Sequence, residues 1–297
     1  MWQAKASKAA QLVTPAANAA RDYLCAISRR TKATPALVFL GAAGVGKGTY
    51  AGIVAGLLGL PHVVMGDLVR RRAPDAAATG ALLPDDEVAG LLHAELRDHA
   101  ASGVVLDGFP RTREQAERLD GGFGLTVPTA VLLTLRETAL TAKCLGRRVC
   151  KVCGRAYNIA DVFLDATADE PAVCLPALAP PERCPGVSGD AAILTPAPSK
   201  KPLYPLAPAG SAESMLRCFD TTCDLTARAD DTDVAVIRRR LRAFAEEGAA
   251  VLDHYRRSGR LLEYRITHGV PETTATLVPS IRDALAASTD VEKGGRL

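Results

Sequence analysis

Gly41-Ala42-Ala43-Gly44-Val45-Gly46-Lys47-Gly48-Thr49 lies between the apolar run Ala36-Leu37-Val38-Phe39-Leu40 and a stretch, Tyr50 to Leu58, with apolar residues at helical spacing. A short strand buried on both faces, a glycine turn and a helix form the context a phosphate-binding loop requires. There the backbone N–H groups of residues 44 to 49 converge on a phosphate at the positive end of the helix, and Lys47 reaches the outer phosphates. Glycine is needed because backbone must approach the anion with no Cβ in the way. Gly41, Gly44, Val45, Gly46, Lys47, Gly48 and Thr49 are therefore a candidate polyphosphate cradle. A plain glycine turn is the competing reading, which the Gly-x4-Gly-Lys spacing and its flanks disfavour.

Four further apolar runs follow: Pro61–Met65, Val104–Leu106, Ala130–Leu135 and Leu261–Ile266. Helical stretches separate them, which predicts an α/β doubly wound parallel sheet covered on both faces, with ligands at the carboxyl ends of the strands. Two insertions interrupt that core, one from Gly66 to Gly103 and a long one from Arg147 to Arg228. Within the second, residues 171–210 hold ten of the nineteen prolines and show little periodicity, which predicts a mobile, dispensable loop. The net charge of +3 gives no reason to expect a nucleic-acid groove, and no apolar run reaches the length of a bilayer span. The first 35 residues carry Lys5, Lys8, Arg21, Arg29, Arg30 and Lys32 against one acid, Asp22, a composition like that of an organelle transit peptide or of a basic N-terminal helix.

Three more segments narrow the class. Asp107-Gly108-Phe109-Pro110-Arg111-Thr112 follows the strand run Val104-Val105-Leu106, Gly146-Arg147-Arg148 begins the long insertion, and Arg228-Ala229-Asp230-Asp231 ends it. In the glycine loop, Gly48 separates Lys47 from Thr49, where the general pattern has a hydroxyl directly after the lysine. From about residue 35 to residue 286 these motifs, in this order, resemble the adenylate kinase family, most closely plant or algal organellar members with long lids. The resemblance implies a five-stranded P-loop sheet with inserted monophosphate-binding and lid domains. It implies Mg²⁺-dependent transfer between ATP and AMP giving two ADP, by a chain acting as a monomer in a mitochondrion or chloroplast, with the cytoplasm as the alternative. The rival readings are a kinase of UMP, CMP or GMP and a nucleotide-binding scaffold that has lost turnover.

Phosphoryl transfer asks for positioning and charge neutralisation, so a cell of arginines is the expected machinery. By the resemblance, Lys47, Arg111, Arg147, Arg228 and Arg240 surround the transferring group, with Arg239 as the fallback because the spacing after Asp231 is one residue longer than in the family. Asp107 orients water on Mg²⁺. Lys143 stands on the ATP side where many relatives carry arginine, keeping the charge and losing the planar fork. On the AMP side the resemblance places Met65, Arg70, Gly108, Arg111, Gln115, Arg228 and Arg240. Gln115 matches the family residue that bonds the adenine edge, and Met65 replaces the usual hydroxyl. Asp67 is a weaker carboxylate candidate than Asp107.

Eight cysteines with no secretory apolar core argue for thiols or a metal rather than a disulfide framework. Cys150-x2-Cys153 begins the lid insertion and Cys218-x4-Cys223 nearly closes it, similar to the zinc-binding lids of some adenylate kinases. Cys184, in Pro180-Pro181-Glu182-Arg183-Cys184, competes for the second pair. Reduced thiols without zinc are the alternative.

Overall fold

The computed structural model describes residues 2–72, 84–96, 103–122, 124–180, 184 and 223–294, with backbone alone at residues 2–12, 70, 85, 229 and 290–294. All five predicted strand runs form one parallel sheet: β1 (Thr34–Leu40), β2 (His62–Val64), β3 (Val104–Asp107), β4 (Leu125–Thr134) and β10 (Leu261–Arg265), in the order β10-β4-β1-β3-β2. β4 starts five residues earlier than its apolar run, because Leu125 and Val127 are also buried. The central strands are buried on both faces, as a sheet layered between helices requires. The short β2 and the half-exposed β10 occupy the edges.

Side-chain alternation sorts these strands between two cores. Leu37, Phe39, Val105, Val131 and Leu133 face one side, while Ala36, Val38, Leu40, Val104, Leu106, Ala130 and Leu132 face the other. The first core is closed by α1 (Trp2–Thr31), α2 (Lys47–Leu58), α6 (Glu137–Leu145) and α8 (Val270–Gly294). The second takes α3 (Met65–Arg72), α4 (Asp85–Leu96), α5 (Arg113–Gly121) and the far half of α7 (Val234–Arg257). The basic N-terminal segment is thus a helix. From Val13 onward it buries Ala16, Ala17, Ala20, Leu24 and Ile27 in the first core, a stripe at helical spacing packed against α8 and α2.

The long insertion begins as β5 (Arg147–Cys150), which pairs antiparallel with β6 (Ala156–Asn158) and β9 (Leu225–Thr226). A hairpin follows, β7 (Val162–Leu164) with β8 (Val173–Leu175). The expectation of a dispensable loop over residues 171–210 is corrected here for its first part. Val173, Leu175 and Ala177 are buried, and the first two pack with Ile266 in the first core. Alternating apolar residues outweigh the flanking prolines because β8 is a short edge segment, where proline beside a strand is tolerated. Residues 185–210 lie outside the described part.

Leu24 has no exposed surface. Leu24→Ala is expected to lower unfolding stability by about 2–5 kcal/mol. Denaturant unfolding checks this, and an unchanged midpoint would show that α1 contributes nothing to the core.

Candidate active site

The glycine loop leaves the C-terminal end of β1 and becomes α2 at Gly46, the N-cap residue, where no side chain caps the helix. No side chain therefore competes with an anion for the first-turn N–H groups. At Gly44, φ is +85°, and a Cβ there would stand 2.6 Å from the carbonyl oxygen of Leu140 and 2.8 Å from Cys144 Sγ. Only glycine lets the loop lie this close to α6, the helix that carries Lys143 and leads into Arg147. Gly48 approaches from the other side, since a Cβ on it would lie 3.1 Å from Asp107 Oδ2. That contact sets the carboxylate at the end of β3 beside the start of α2.

Lys47 donates from Nζ to the carbonyls of Gly41 (2.6 Å) and Ala42 (2.9 Å). Burial lowers its pKa to about 8; Asp107 opposes the shift, and Arg147, Arg111 and Arg240 add to it. Those influences put Asp107, Arg147, Arg111 and Arg240, which come from four separate parts of the chain, within electrostatic reach of Lys47. Asp107 is itself pushed above the usual carboxylate range by burial, against the pull of Lys47 and His62.

Two adjacent carboxylates hold the arginines. Asp231, whose side chain is fully buried, lies 2.8 Å from Arg240 Nη1 and 3.3 Å from Arg147 Nε. Asp230 accepts from Arg228 Nε and Nη2 at 3.1 and 3.3 Å and pairs with Arg240 at 3.0 Å. The arginines surrounding it hold the Asp230 carboxyl below the usual range although burial alone would raise it. Three guanidiniums around two carboxylates leave positive charge for a phosphate. Arg240 is the α7 arginine in this cluster, and Arg239 is exposed. The Asp-Asp pair was read from the sequence only as part of a motif, and its role as the arginines' scaffold was not anticipated. Arg148 is buried and donates to the carbonyls of Leu145 and Arg147, so it packs β5 rather than facing the site.

Across the cleft, Arg111 donates from Nε to Gly108 O at 3.0 Å. Its backbone N–H donates to Gln115 Oε1 at 2.8 Å, while Thr112 caps α5 by accepting from Gln115 N–H at 3.1 Å. Gln115 is thus buried and fixes the backbone of Arg111. Met65 is buried with Val63 and Leu68, Asp67 sits in the first turn of α3, and the Arg70 side chain lies outside the described part. His62, at the start of β2, lies near Asp107 and Asp67, and burial lowers its pKa.

In the lid, the sulfurs of Cys150, Cys153, Cys184 and Cys223 all lie within 4.8 Å of one another, and Cys150 and Cys184 Sγ are 3.6 Å apart. Cys184 fills the place for which Cys218 had been the first choice; Cys218 lies outside the described residues. Burial alone would raise the pKa of Cys150, but backbone N–H groups of Cys153 and Val152 outweigh it and bring the thiol to about 7. With Zn–S near 2.3 Å, thiolates of a tetrahedral site lie about 3.8 Å apart, so the donor set fits zinc.

A family model described as "Adenylate kinase" matches residues 39–260. The chain belongs to the adenylate kinase family. It is 36% identical over 257 residues to "Probable adenylate kinase 6, chloroplastic" of Arabidopsis thaliana, a match covering 82% of this chain and 74% of that one. It is 33% identical to "Adenylate kinase 1, chloroplastic" of the same plant, covering 82% and 77% of the two chains. To the "Adenylate kinase" of Solanum tuberosum it is 33% identical, covering 81% and 74%. The chain is a nucleoside monophosphate kinase, and the family's reaction is ATP + AMP = 2 ADP. Adenylate kinases use Mg²⁺ with ATP, and the buried Asp107 carboxylate beside Gly48 and Lys47 suits that ion's preference for oxygen ligands.

Because Lys47 titrates near 8 in the free enzyme and a bound phosphate raises that value, ATP binding above pH 8 must take up a proton. Affinity is expected to be level below pH 8 and to fall above it by at most about tenfold per pH unit. Calorimetry in buffers of different ionisation enthalpy checks this. No proton uptake at pH 8.5, or equal uptake by Lys47→Met, would refute it.

Proposed function

We propose that this chain transfers the γ-phosphoryl group of ATP to AMP with Lys47, Arg111, Arg147, Arg228 and Arg240 around the group in flight. The observation that carries this reading is Asp231, which binds Arg147 and Arg240 within electrostatic reach of Lys47. Preset cations stabilise charge spread over the transferring oxygens without reorganising during the reaction. The glycine loop and Thr49 hold the ATP phosphates. Arg111 and Arg70 hold the AMP phosphate, with Gly108, Met65 and Gln115 lining the acceptor base. Mg²⁺ neutralises phosphate charge, and Asp107 orients water bound to it.

Gln115 favours AMP over UMP, CMP and GMP by its motif position. A coupled assay with these four monophosphates and MgATP is expected to give fastest turnover with AMP, and Lys47→Met should cut that turnover by orders of magnitude while the protein stays folded. Faster turnover of UMP would move the enzyme to the rival reading, and an active Lys47→Met would overturn the site.

The four lid cysteines form a structural zinc site that supplies folding free energy to a segment with a small apolar core. Protein purified without chelator is expected to carry about one zinc per chain, as one tetrahedral site requires. Cys150→Ser or Cys184→Ser should abolish it and leave the parallel sheet folded, whereas zinc retained by Cys184→Ser would return the fourth position to Cys218. The names of the chloroplastic relatives, with the basic first 35 residues, support a plastid location. Processing that keeps the first core intact stops short of Val13.

A further inference from the structure

The lid sulfurs are placed for a second chemistry besides metal ligation. Cys150 and Cys184 have no exposed surface and their sulfurs are 3.6 Å apart, while the whole group with Cys153 and Cys223 spans no more than 4.8 Å. A disulfide needs its sulfurs about 2.0 Å apart, so a side-chain shift of less than about 2 Å joins that pair.

The chain positions the four thiols unequally. Cys150 to Gly154 is a tight turn, closed by Gly154 N–H donating to Cys150 O at 2.8 Å with Gly154 at φ +68°, and the N–H groups of Val152 and Cys153 fix the Cys150 sulfur. Cys223 reaches this turn through the β5–β9 ladder, where Cys150 pairs with Leu225 and Lys151 N–H donates to Asp224 O at 2.8 Å. Cys184 comes from within the insertion, 34 residues from Cys150, so a bond to it closes a loop that the ladder leaves open. Cys153 alone of the four is half-buried, with the buried Tyr157 hydroxyl 4.0 Å from its sulfur. A small oxidant therefore meets the group at Cys153, and three further thiols stand within reach of the sulfur it modifies.

We propose that this group is a site of reversible thiol oxidation by a peroxide, in which Cys153 reacts first and Cys184 becomes bonded to the Cys150–Cys153 turn, so that a sulfur–sulfur bond staples the lid in the oxidised protein. The Cys153 thiolate attacks one oxygen of hydrogen peroxide, the O–O bond breaks, hydroxide leaves and a sulfenic acid remains. The Cys184 thiolate attacks that sulfur, the S–O bond breaks and a second hydroxide leaves. The two thiols lose two electrons and two protons, and the peroxide becomes two waters. Cys150, 3.6 Å from Cys184, then exchanges with Cys153, so either member of the turn carries the bond. Sulfurs in a disulfide are no longer thiolates, so oxidation abolishes metal ligation by them. For the reduced form alone, the inference rests on the zinc reading of the same cysteines.

Reduced protein treated with hydrogen peroxide, with zinc release followed by a chromogenic chelator and disulfides mapped by mass spectrometry of unreduced peptides, tests the proposal. The expected result is loss of about one zinc per chain and a disulfide from Cys184 to Cys150 or Cys153, both reversed by dithiothreitol with added zinc. Limited proteolysis reads the staple itself: reduced protein stripped by chelator should be cut in the lid at least about tenfold faster than oxidised protein. Cys184→Ser should lose both the cross-link and the protection on oxidation, whereas Cys174→Ser, which removes an exposed thiol outside the group, should lose neither. If Cys184→Ser does not fold, the mapping and proteolysis of wild-type protein carry the test. A disulfide confined to Cys150 and Cys153, a sulfinic acid at Cys153 with no disulfide, or oxidised protein cut as fast as the stripped form would overturn the proposal. Reduced protein that holds no zinc, yet forms the cross-link and gains protection, would refute the zinc reading and support the oxidised staple.

Discussion

The long lid insertion is closed at its base by one buried carboxylate. Asp231 follows the insertion, Arg147 begins it, and Arg240 stands on α7 just beyond it, so a single side chain ties the start of the insertion to the segment that follows its end. Desolvating a carboxylate is costly, and only the two guanidiniums make its burial tolerable. The same carboxylates fix the arginines, so their positive charge is held in place by the fold itself. Removing the carboxylate would leave clustered positive charge unbalanced, which would affect both the lid's attachment and the arginine geometry.

The sheet gives these groups their common address. Parallel strands all end on one edge, and β1 and β3 deliver the glycine loop and Asp107 to neighbouring positions there. Gly44 and Gly48 then set spacing that no side chain could improve: one lets the loop press on α6, and the other lets Asp107 approach the start of α2. Cradle, carboxylate and arginines thus depend on packing distances fixed by the core rather than on flexible reach.

Much of this was legible in the sequence because its signals are local. The strand runs, the glycine loop and the Asp107–Thr112 segment each carry their own periodicity or spacing, and all five strands form where the apolar runs lie. What escaped depends on contacts between distant segments. The buried stripe of α1 has meaning only opposite α8 and α2, so composition alone could not separate a basic helix from a leader. Val173 and Leu175 form a core-facing pair, yet prolines on either side obscured a two-residue alternation too short to read with confidence from one strand. The choice among Cys184, Cys218 and Cys223 was a matter of spacing that a long insertion leaves free. In the described part, Cys184 packs against Cys150. Arg240 could be separated from Arg239 only by knowing which face of α7 meets the Asp-Asp pair.

The lid is anchored in two physically different ways. Its segment 158–178 shares apolar residues with the main core, with Val162, Val173 and Leu175 packed beside Ile266, so displacement there is felt in the sheet. Its other half, among the described residues, clusters Cys150, Tyr157, Cys184 and Cys223 with Cys153 and Leu225 at the margin. Those residues bury little apolar surface to set against chain entropy. Thiol chemistry is the natural supplement, because one tetrahedral ion replaces many apolar contacts. Among the described residues, the two halves meet through β5 and β6 and the turn at Asn158. Damage to the thiol cluster should therefore loosen the outer lid while residues 158–178, held by Lys143 and the core, stay packed.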